Sequence, residues 1–358
     1  MEIHQIVPIL LTKDAIGNQA LAMQVSLHDW GYKSLIYTVQ GPVELTDRWH
    51  RYQEYKSRPD NVLIYHYGVS SQPITEFVRS LPDRVVVYYH NVTPAHYFEA
   101  INPAAALVLA RSREELASLR DFAPSALAAS EYNRRELLEM GFRDVTVIPP
   151  ILGFSQLDIP PDDTVMRRYG DGRVNILFVG RIAPNKRPDD LIRMFAYYER
   201  WIDPHARLIL VGSSNGTEVY EYWLKQLTRQ LGVRNVVWAG PVSQAELAAY
   251  YKTASIFVCM SEHEGFGVPL LEAMYCDVPV IAYKAAAVPD TLGTAGILLR
   301  EKRYEIVAEL VDIVVHNRGL RERILAQQQQ RLSELTPERV RHAFHHWVDQ
   351  IPCQCDSK

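Results

Sequence analysis

The densest cluster of reactive groups is Ser261-Glu262-His263-Glu264-Gly265-Phe266-Gly267-Val268-Pro269-Leu270-Leu271-Glu272. Gly265 and Gly267 free the backbone for a tight turn and for close approach to a ligand. Pro269 suits an early helical position, where a missing N–H costs nothing. The amides of Gly267, Val268 and Leu270 then fall at or near a helix N-terminus, where unpaired N–H groups favour an anion. Glu264 and Glu272 flank that nest. A plainer reading makes Glu264 a surface acid and Glu272 a first-turn partner of the helix dipole.

A second cluster is Gly180-Arg181-Ile182-Ala183-Pro184-Asn185-Lys186, at the end of an apolar run. A guanidinium can fork two phosphate oxygens and an ammonium adds a compact charge, so the pair suits a diphosphate. The plainer reading is two solvated loop cations. In the first half, His66 and His90 each end an apolar run, and Gly17-Asn18 opens a helical pattern after the first one. Each histidine is either a neutral hydrogen-bonding group beside a ligand or a buried ring satisfied by the backbone. Gly17-Asn18 also reads as an ordinary strand-to-helix turn.

Positioning these groups requires strands. His4–Leu11, Ser34–Val39, Asn61–Tyr67, Arg84–His90, Ser125–Ser130 and Asp144–Pro150 are short β-branched or aromatic runs, with helical patterns between several of them. Near-continuous apolar strands separated by helices predict a parallel sheet covered on both faces. Residues 149–173 are rich in Pro, Gly and Asp and read as an interdomain linker. The alternation then restarts with Val174–Gly180, Ala206–Gly212, Asn235–Gly240, Ser255–Met260, Val278–Tyr283 and Gly296–Leu299. In an open parallel sheet, ligands bind beyond the carboxyl ends of the strands, where both clusters fall. The expected domains are 1–152, 153–336, and a helix with a tail over 337–358. Val340, Phe344 and Trp347 share one side of that helix, which packs either across the domain junction or within the second domain. Four glutamines, 327–330, read as an exposed helical face.

With 358 residues the chain is too long for one ordinary core. Its 38 basic and 42 acidic side chains leave a formal charge of -4, which argues against a nucleic-acid groove or a broadly basic membrane face. Met1-Glu2-Ile3-His4 lacks the basic start of a signal peptide, so a cytoplasmic protein is expected. Cys259 and Cys276 sit in apolar segments. Cys353 and Cys355 form a C-x-C with no further Cys or His run to complete a metal site, so no metal is expected.

Glu264 and Glu272, separated by seven residues that include Gly-Phe-Gly-Val-Pro, resemble the E-x7-E signature of retaining GT-B glycosyltransferases, and of glycosyltransferase family 4 (group 1) in particular. Gly180, Arg181 and Lys186 match the family's G-R-x4-K. The resemblance covers about residues 173–330 and is weaker in the first half. It implies an α/β GT-B fold: two Rossmann-like, doubly wound parallel-sheet domains facing a central cleft, the first for the acceptor and the second for the donor. Arg181 and Lys186 are then expected on the donor diphosphate, Glu264 on hydroxyls of the donor sugar, and Glu272 on the ribose. Gly265, Phe266, Gly267, Val268, Pro269 and Leu270 are expected around the sugar and distal phosphate. Gly212 and Gly240–Ser243, with Val242 among them, border the nucleoside. Gly17 and Asn18 match the family's glycine loop, although Asn18 replaces the second of two adjacent glycines. His90 resembles the histidine that relatives place beside the sugar, and His66 is expected in the same cleft.

The resemblance implies transfer of a sugar from a UDP- or GDP-linked donor to a glycan, glycolipid or lipid-linked acceptor, with no cofactor and no nucleic acid. Catalysis is expected from Glu264, His90, Arg181 and Lys186. Contact with the inner face of the membrane is open, as is the oligomeric state. Three rival readings share parts of this pattern. An oxidoreductase needs G-x-G-x-x-G, and the Gly265-Phe266-Gly267 turn lacks the third glycine. A sugar-nucleotide epimerase or phosphorylase shares the fold, and a non-catalytic nucleotide-sugar binding protein would share the motifs.

Overall fold

The computed structural model describes residues 1–11 and 14–352. Lys13 and the Cys353/Cys355 pair lie outside the described residues. The chain divides into two compact units. The first holds Met1–Ala95, Ala106–Leu152 and Leu335 onward, and the second His96–Ala105 and Gly153–Glu334.

The first unit runs β1 (Ile3–Ile9), α1 (Ala15–Asp29), β2 (Ile36–Gln40), β3 (Trp49–Arg51), β4 (Val62–Tyr67), α2 (Gln72–Arg79), β5 (Arg84–Tyr89), α3 (Pro103–Leu119), β6 (Ser125–Ala128), α4 (Glu131–Glu139) and β7 (Asp144–Val147). Among the described residues its strands form one parallel sheet in the order β3-β2-β1-β4-β5-β6-β7. The order reverses direction between β1 and β4, which places the topological switch point between their carboxyl ends. Every residue of β4 is buried, which explains its unbroken apolar and aromatic run.

The second unit runs α5 (Asp163–Tyr169), β8 (Asn175–Val179), α6 (Pro188–Trp201), β9 (Arg207–Val211), α7 (Glu218–Gln230), β10 (Val236–Gly240), α8 (Gln244–Thr253), β11 (Ile256–Cys259), α9 (Val268–Tyr275), β12 (Val280–Tyr283), α10 (Val288–Leu292), β13 (Ile297–Leu299), α11 (Tyr304–His316) and α12 (Arg318–Glu334). Its sheet is also parallel, in the order β10-β9-β8-β11-β12-β13, with the switch between β8 and β11. Its core joins Phe178, Leu191, Phe195, Tyr198, Leu208 and Leu210 to Val307 and Val311 of α11.

Two expectations need correction. The 149–173 stretch is not a bare linker. Asp162 caps α5 by accepting from the Val165 amide at 2.9 Å, and Tyr169 at the end of that helix packs against Tyr250 of α8, ring centroids 5.6 Å apart and tilted by 37°. Its Pro- and Asp-rich composition hid a seven-residue helix. The glutamine run is not wholly exposed either. Gln328 is fully buried, donating to the Val278 carbonyl at 3.0 Å and accepting from the Val280 amide at 2.9 Å, so it pins the entry to β12. The last helix, α13 (Pro337–Asp349), belongs to the first unit. Phe344, Trp347, Val340 and Val348 complete a first-unit core with Ile3, Met23, Leu27, Val62 and Ile64. Thr336 caps it by accepting from the Arg339 amide.

Candidate functional site

The strongest candidate site lies at the β8/β11 switch point. The loop after β8 carries Arg181 to Lys186, and the loop after β11 carries Ser261 to Gly267. Asn185 holds the two loops together. Its carbonyl accepts from the Glu262 amide at 2.9 Å and the His263 amide at 3.3 Å, and its side-chain amide donates to the His263 carbonyl at 3.2 Å. Lys186 and Glu264 form a short ion pair across this seam, both side chains largely withdrawn from solvent.

Beneath the pair sits a network with no local signal in the sequence. Arg187 adopts a left-handed conformation (φ 53°) just before Pro188 opens α6. From there its guanidinium grips Asp189 twice (2.9 and 2.8 Å), Asp190 (2.9 Å) and Glu262 (2.7 Å). Lys302, more than a hundred residues on, donates to Asp190 at 2.7 Å and Glu262 at 2.8 Å. The Tyr304 hydroxyl reaches Asp190 and that of Tyr220 reaches Asp189. Burial works to raise the Asp189 carboxyl, but the Arg187 hydrogen bonds and charge prevail and hold it below the usual carboxylate range. The Asp189-Asp190 pair is thus committed to cations of the fold.

The turn after Glu264 matches the expected nest in most respects. Gly267 takes φ +93° at the N-cap of α9, and Pro269 sits in the first turn. Among the described residues the amides of Gly265, Phe266, Gly267 and Val268 have no hydrogen-bond partner. The Leu270 amide is spent on the Gly267 carbonyl at 3.0 Å, and Pro269 has no amide, so neither can serve as a backbone donor. Thr291 donates to the Phe266 carbonyl and the Ala287 amide to the Glu264 carbonyl, which fixes the turn from its other side. Glu272, one turn into α9, accepts from the Tyr251 hydroxyl at 2.8 Å, and burial raises its carboxyl.

Arg181 is oriented differently from Lys186. Its guanidinium donates to the Asn215 carbonyl at 3.0 Å, toward the loop after β9 and not toward the 265–270 turn. Asn215 lines a cavity of about 170 Å³ together with Gly212, Glu221, Trp238, Gly240 and Pro241, and Arg181 is not among the lining residues. Gly212 is obligatory: a Cβ there would sit 2.0 Å from the Gly180 carbonyl oxygen. The carboxyl ends of β8, β9 and β10 therefore meet closely around a small recess. Val242 follows Pro241 and is not among the lining residues.

In the first unit, Gly17, His66 and His90 are set at the β1/β4 switch and on the next strand. Gly17 is buried in the first turn of α1, where a Cβ would lie 1.8 Å from the Leu11 carbonyl oxygen. Its amide donates to the capping Asp14 carboxylate at 2.6 Å, so it is not free for a phosphate. Asn18 is exposed. His66 does not line any surface: it is fully buried, with Nε2 2.8 Å from Gln5 Oε1 and Nδ1 2.8 Å from His90 Nε2. Its position in a strand buried on both faces forces this. His90, past the end of β5, is partly exposed, and burial holds its imidazole down to about 3. Tyr88 lies beside it, ring centroids 4.3 Å apart.

Known proteins resemble this arrangement at two levels. Residues 168–331 match the family described as glycosyl transferases group 1. Over whole chains, the structure superposes on Anabaena HepE crystallised with UDP-glucose (TM-score 0.75, 16% identity, covering 98% of this chain and 100% of that one). It does so equally on a sucrose-phosphate synthase from Thermosynechococcus elongatus (TM-score 0.73, 14% identity, covering 98% and 99%). The fold is GT-B. In sequence, a D-inositol 3-phosphate glycosyltransferase of Kineococcus radiotolerans is 36% identical over 44% of this chain and 38% of its own length. One from Thermobispora bispora is 34% identical over 50% and 45%. The sequence matches thus span less than half of these relatives, whereas the GT-B likeness runs through both units. The matched family segment contains the whole Arg181–Glu272 constellation.

Proposed function

We propose that this chain is a retaining, metal-independent glycosyltransferase of family 4 that moves a sugar from a nucleoside-diphosphate donor to a hydroxyl acceptor. One observation carries the reading: the Lys186–Glu264 pair stands beside four unpartnered amides at the β8/β11 switch point. A fixed cation and preorganised N–H groups suit the diphosphate that departs when the glycosidic bond to phosphorus–oxygen breaks. Glu264 then turns to hydroxyls of the donor sugar, Glu272 to the ribose, and the recess at Gly212 and Trp238 to the base. The charge that a divalent ion would supply comes instead from Lys186 and the turn amides, joined by Arg181 once its guanidinium turns from the Asn215 carbonyl.

In the proposed step the acceptor oxygen attacks the anomeric carbon from the face the diphosphate leaves. The carbon–oxygen bond to the β-phosphate breaks, and the acceptor proton passes to a leaving phosphate oxygen. The donor is UDP- or GDP-linked, in keeping with the UDP and UDP-glucose held by HepE. The acceptor is a glycan, glycolipid or lipid-linked species, in bacterial surface polysaccharide or glycoconjugate assembly. The inositol phosphate acceptor in the relatives' names is the competing polar class. The work is placed in the cytoplasm, at the inner membrane face when the acceptor is lipid-linked. No helix among the described residues is long and apolar enough to cross a membrane.

Incubation with a panel of labelled nucleotide sugars and these acceptors tests the reading. Free nucleoside diphosphate together with a new α- or β-glycoside of the donor's own anomeric configuration supports it. An inverted product removes the retaining assignment. Isomerised donor points to an epimerase, and binding without turnover to a nucleotide-sugar binding protein.

A further inference from the structure

Gln5, His66 and His90 form a single file of hydrogen bonds inside the first unit, and its direction is determined by chemistry. Gln5 sits on β1, His66 on β4 and His90 just past β5. The register pairs Gln5 with Ile64 and His66 with Tyr88, so alternation puts Gln5, His66 and His90 on one face of the sheet. That face lies against α1, whose Ala20 carbonyl accepts from Gln5 Nε2 at 3.0 Å. A carbonyl can only accept, so the amide nitrogen of Gln5 must point to Ala20 and its oxygen to His66.

The rest follows by elimination. Gln5 Oε1 is an acceptor, so His66 Nε2, 2.8 Å away, must carry its hydrogen. His66 is fully buried and its charged form is strongly disfavoured there, so it carries only that one proton. Its Nδ1 is then a bare lone pair. His90 Nε2, 2.8 Å from that lone pair, must be a donor. The two ring planes lie within 14° of each other with centroids 5.1 Å apart, and the direct 2.8 Å contact leaves no room for an intervening water. His90 is neutral, so its Nδ1 has no proton. That nitrogen has no hydrogen-bond partner among the described residues and is not one of the sealed, unpartnered polar atoms.

We infer that Gln5 and His66 are positioning residues that lock His90 in the Nε2–H tautomer, so that its bare Nδ1 accepts a hydrogen bond from a ligand hydroxyl. A sugar or other polyol O–H satisfies that nitrogen. A phosphate or carboxylate oxygen meets it lone pair to lone pair and is repelled. The first unit therefore selects for hydroxyls with no charge of its own, through a residue three links away on β1. The inference rests on the transferase reading for the identity of the hydroxyl, but not for the tautomer.

The tautomer can be read without any assay of activity. Histidine-selective 15N labelling of the full chain, with long-range nitrogen–proton correlation spectra at pH 6 to 8, distinguishes a protonated from a bare ring nitrogen. The wild-type protein should show His90 with Nε2 protonated and Nδ1 bare, and His66 in the same form. A protonated Nδ1 on His90 overturns the inference with no variant needed. Gln5→Met removes the acceptor and should give His90 a mixture of tautomers, and an unmixed spectrum would also overturn it. Gln5→Glu in its neutral acid form can donate to Ala20 and accept from His66, and should restore the wild-type pattern. In transfer assays Gln5→Met should lower kcat about tenfold, the worth of one ordinary hydrogen bond, with the KM for nucleotide sugar unchanged. A matching rise in KM would mark a structural role and sink the positioning one. If the wild-type protein shows the expected tautomer but neither binds nor turns over any nucleotide sugar, the transferase reading fails and the relay stands.

Discussion

The two units share one topology and oppose each other in electrostatics. In each, a parallel sheet reverses its strand order next to its first strand, and the residues of interest gather at the carboxyl ends beside that reversal. At β8/β11 the gathered groups are ions: Lys186 and Glu264 above, with Arg187, Asp189, Asp190, Glu262 and Lys302 locked together below. At β1/β4 they are neutral: Gln5, His66, His90, and the Tyr88 hydroxyl between Gln19 and the Ile148 carbonyl. Topology selects the place where a ligand sits, and side chains select its charge. One end is built to meet an anion, and at the other an uncharged file shares the switch point with the Asp14 carboxylate that caps α1.

The sharpest way to break that contrast is to discharge the ionic end. Lys186→Ala removes the fixed cation facing the departing diphosphate and leaves Glu264 without its partner. Transfer should fall about 100- to 1000-fold, the range for losing one preorganised charge-stabilising group. The equivalent truncation at the neutral end, His90→Ala, should cost less and leave nucleoside-diphosphate affinity unchanged. Equal effects of the two on nucleotide affinity would abolish the contrast.

Acid tests the neutral end next. His90 is held down to about 3 by burial, whereas an unfolded histidine titrates near 6.5. The unfolded state therefore binds more protons below pH 6.5, and stability drains from the first unit as the pH falls from there toward about 3. The slope contributed by His90 is at most about 1.4 kcal/mol per pH unit. His66 adds in the same direction. Calorimetry at pH 7 and 5 should show this loss, and His90→Gln should shrink it. A first-unit transition that does not move with pH would contradict the uncharged assignment.

How far the sequence revealed these two ends depends on how local their determinants are. Twelve of the strands stood out as apolar runs, because parallel strands covered on both faces leave no polar alternation to blur them. β3, with only Trp49–Arg51 and no buried residue, did not. Lys186, Glu264 and the Gly267 turn are legible because a strand, a turn and a helix start follow one another in the chain. Lys302 was invisible, since nothing near it announces that it reaches Asp190 and Glu262. The direction of Arg181 is not legible in the sequence, as an exposed arginine has rotamers enough to find Asn215. His66 was read as a ligand group because the end of a strand looks the same whether its last side chain faces out or inward.

Glycines at the two switch points give a smaller effect and a structural control. Gly212→Ala drives a Cβ to 2.0 Å from the Gly180 oxygen, and Gly17→Ala to 1.8 Å from that of Leu11. The backbone must shift in both, at a cost of about 1–3 kcal/mol each. The comparison predicts different functional readouts from this similar damage. Gly212→Ala should weaken nucleoside-diphosphate binding in a thermal-shift titration, because the recess it lines closes. Gly17→Ala should leave that shift intact, since its amide is already spent on Asp14.

The smallest predicted effect probes Glu272, an acid of the ionic end whose charged form burial disfavours. Burial raises the Glu272 carboxyl above its usual range, and the Tyr251 hydroxyl partly offsets this by donating to it. As a ribose acceptor Glu272 must be ionised, so nucleotide affinity should fall as the pH drops through its raised value. The folding linkage has the opposite sign, because the folded state holds this proton more tightly, and its stability contribution fades as the pH rises. The affinity should weaken as the pH falls from about 7.5 toward the carboxylate range, by less than the tenfold per unit that a full titration gives. Tyr251→Phe removes the offsetting donor, moves the titration upward and should enlarge the loss. Glu272→Gln cannot titrate and should bind weakly at every pH. If Tyr251→Phe instead tracked the wild type across this range, Glu272 would not be the group that reads the ribose, and the charge of the second end would reside in Lys186 and the turn alone.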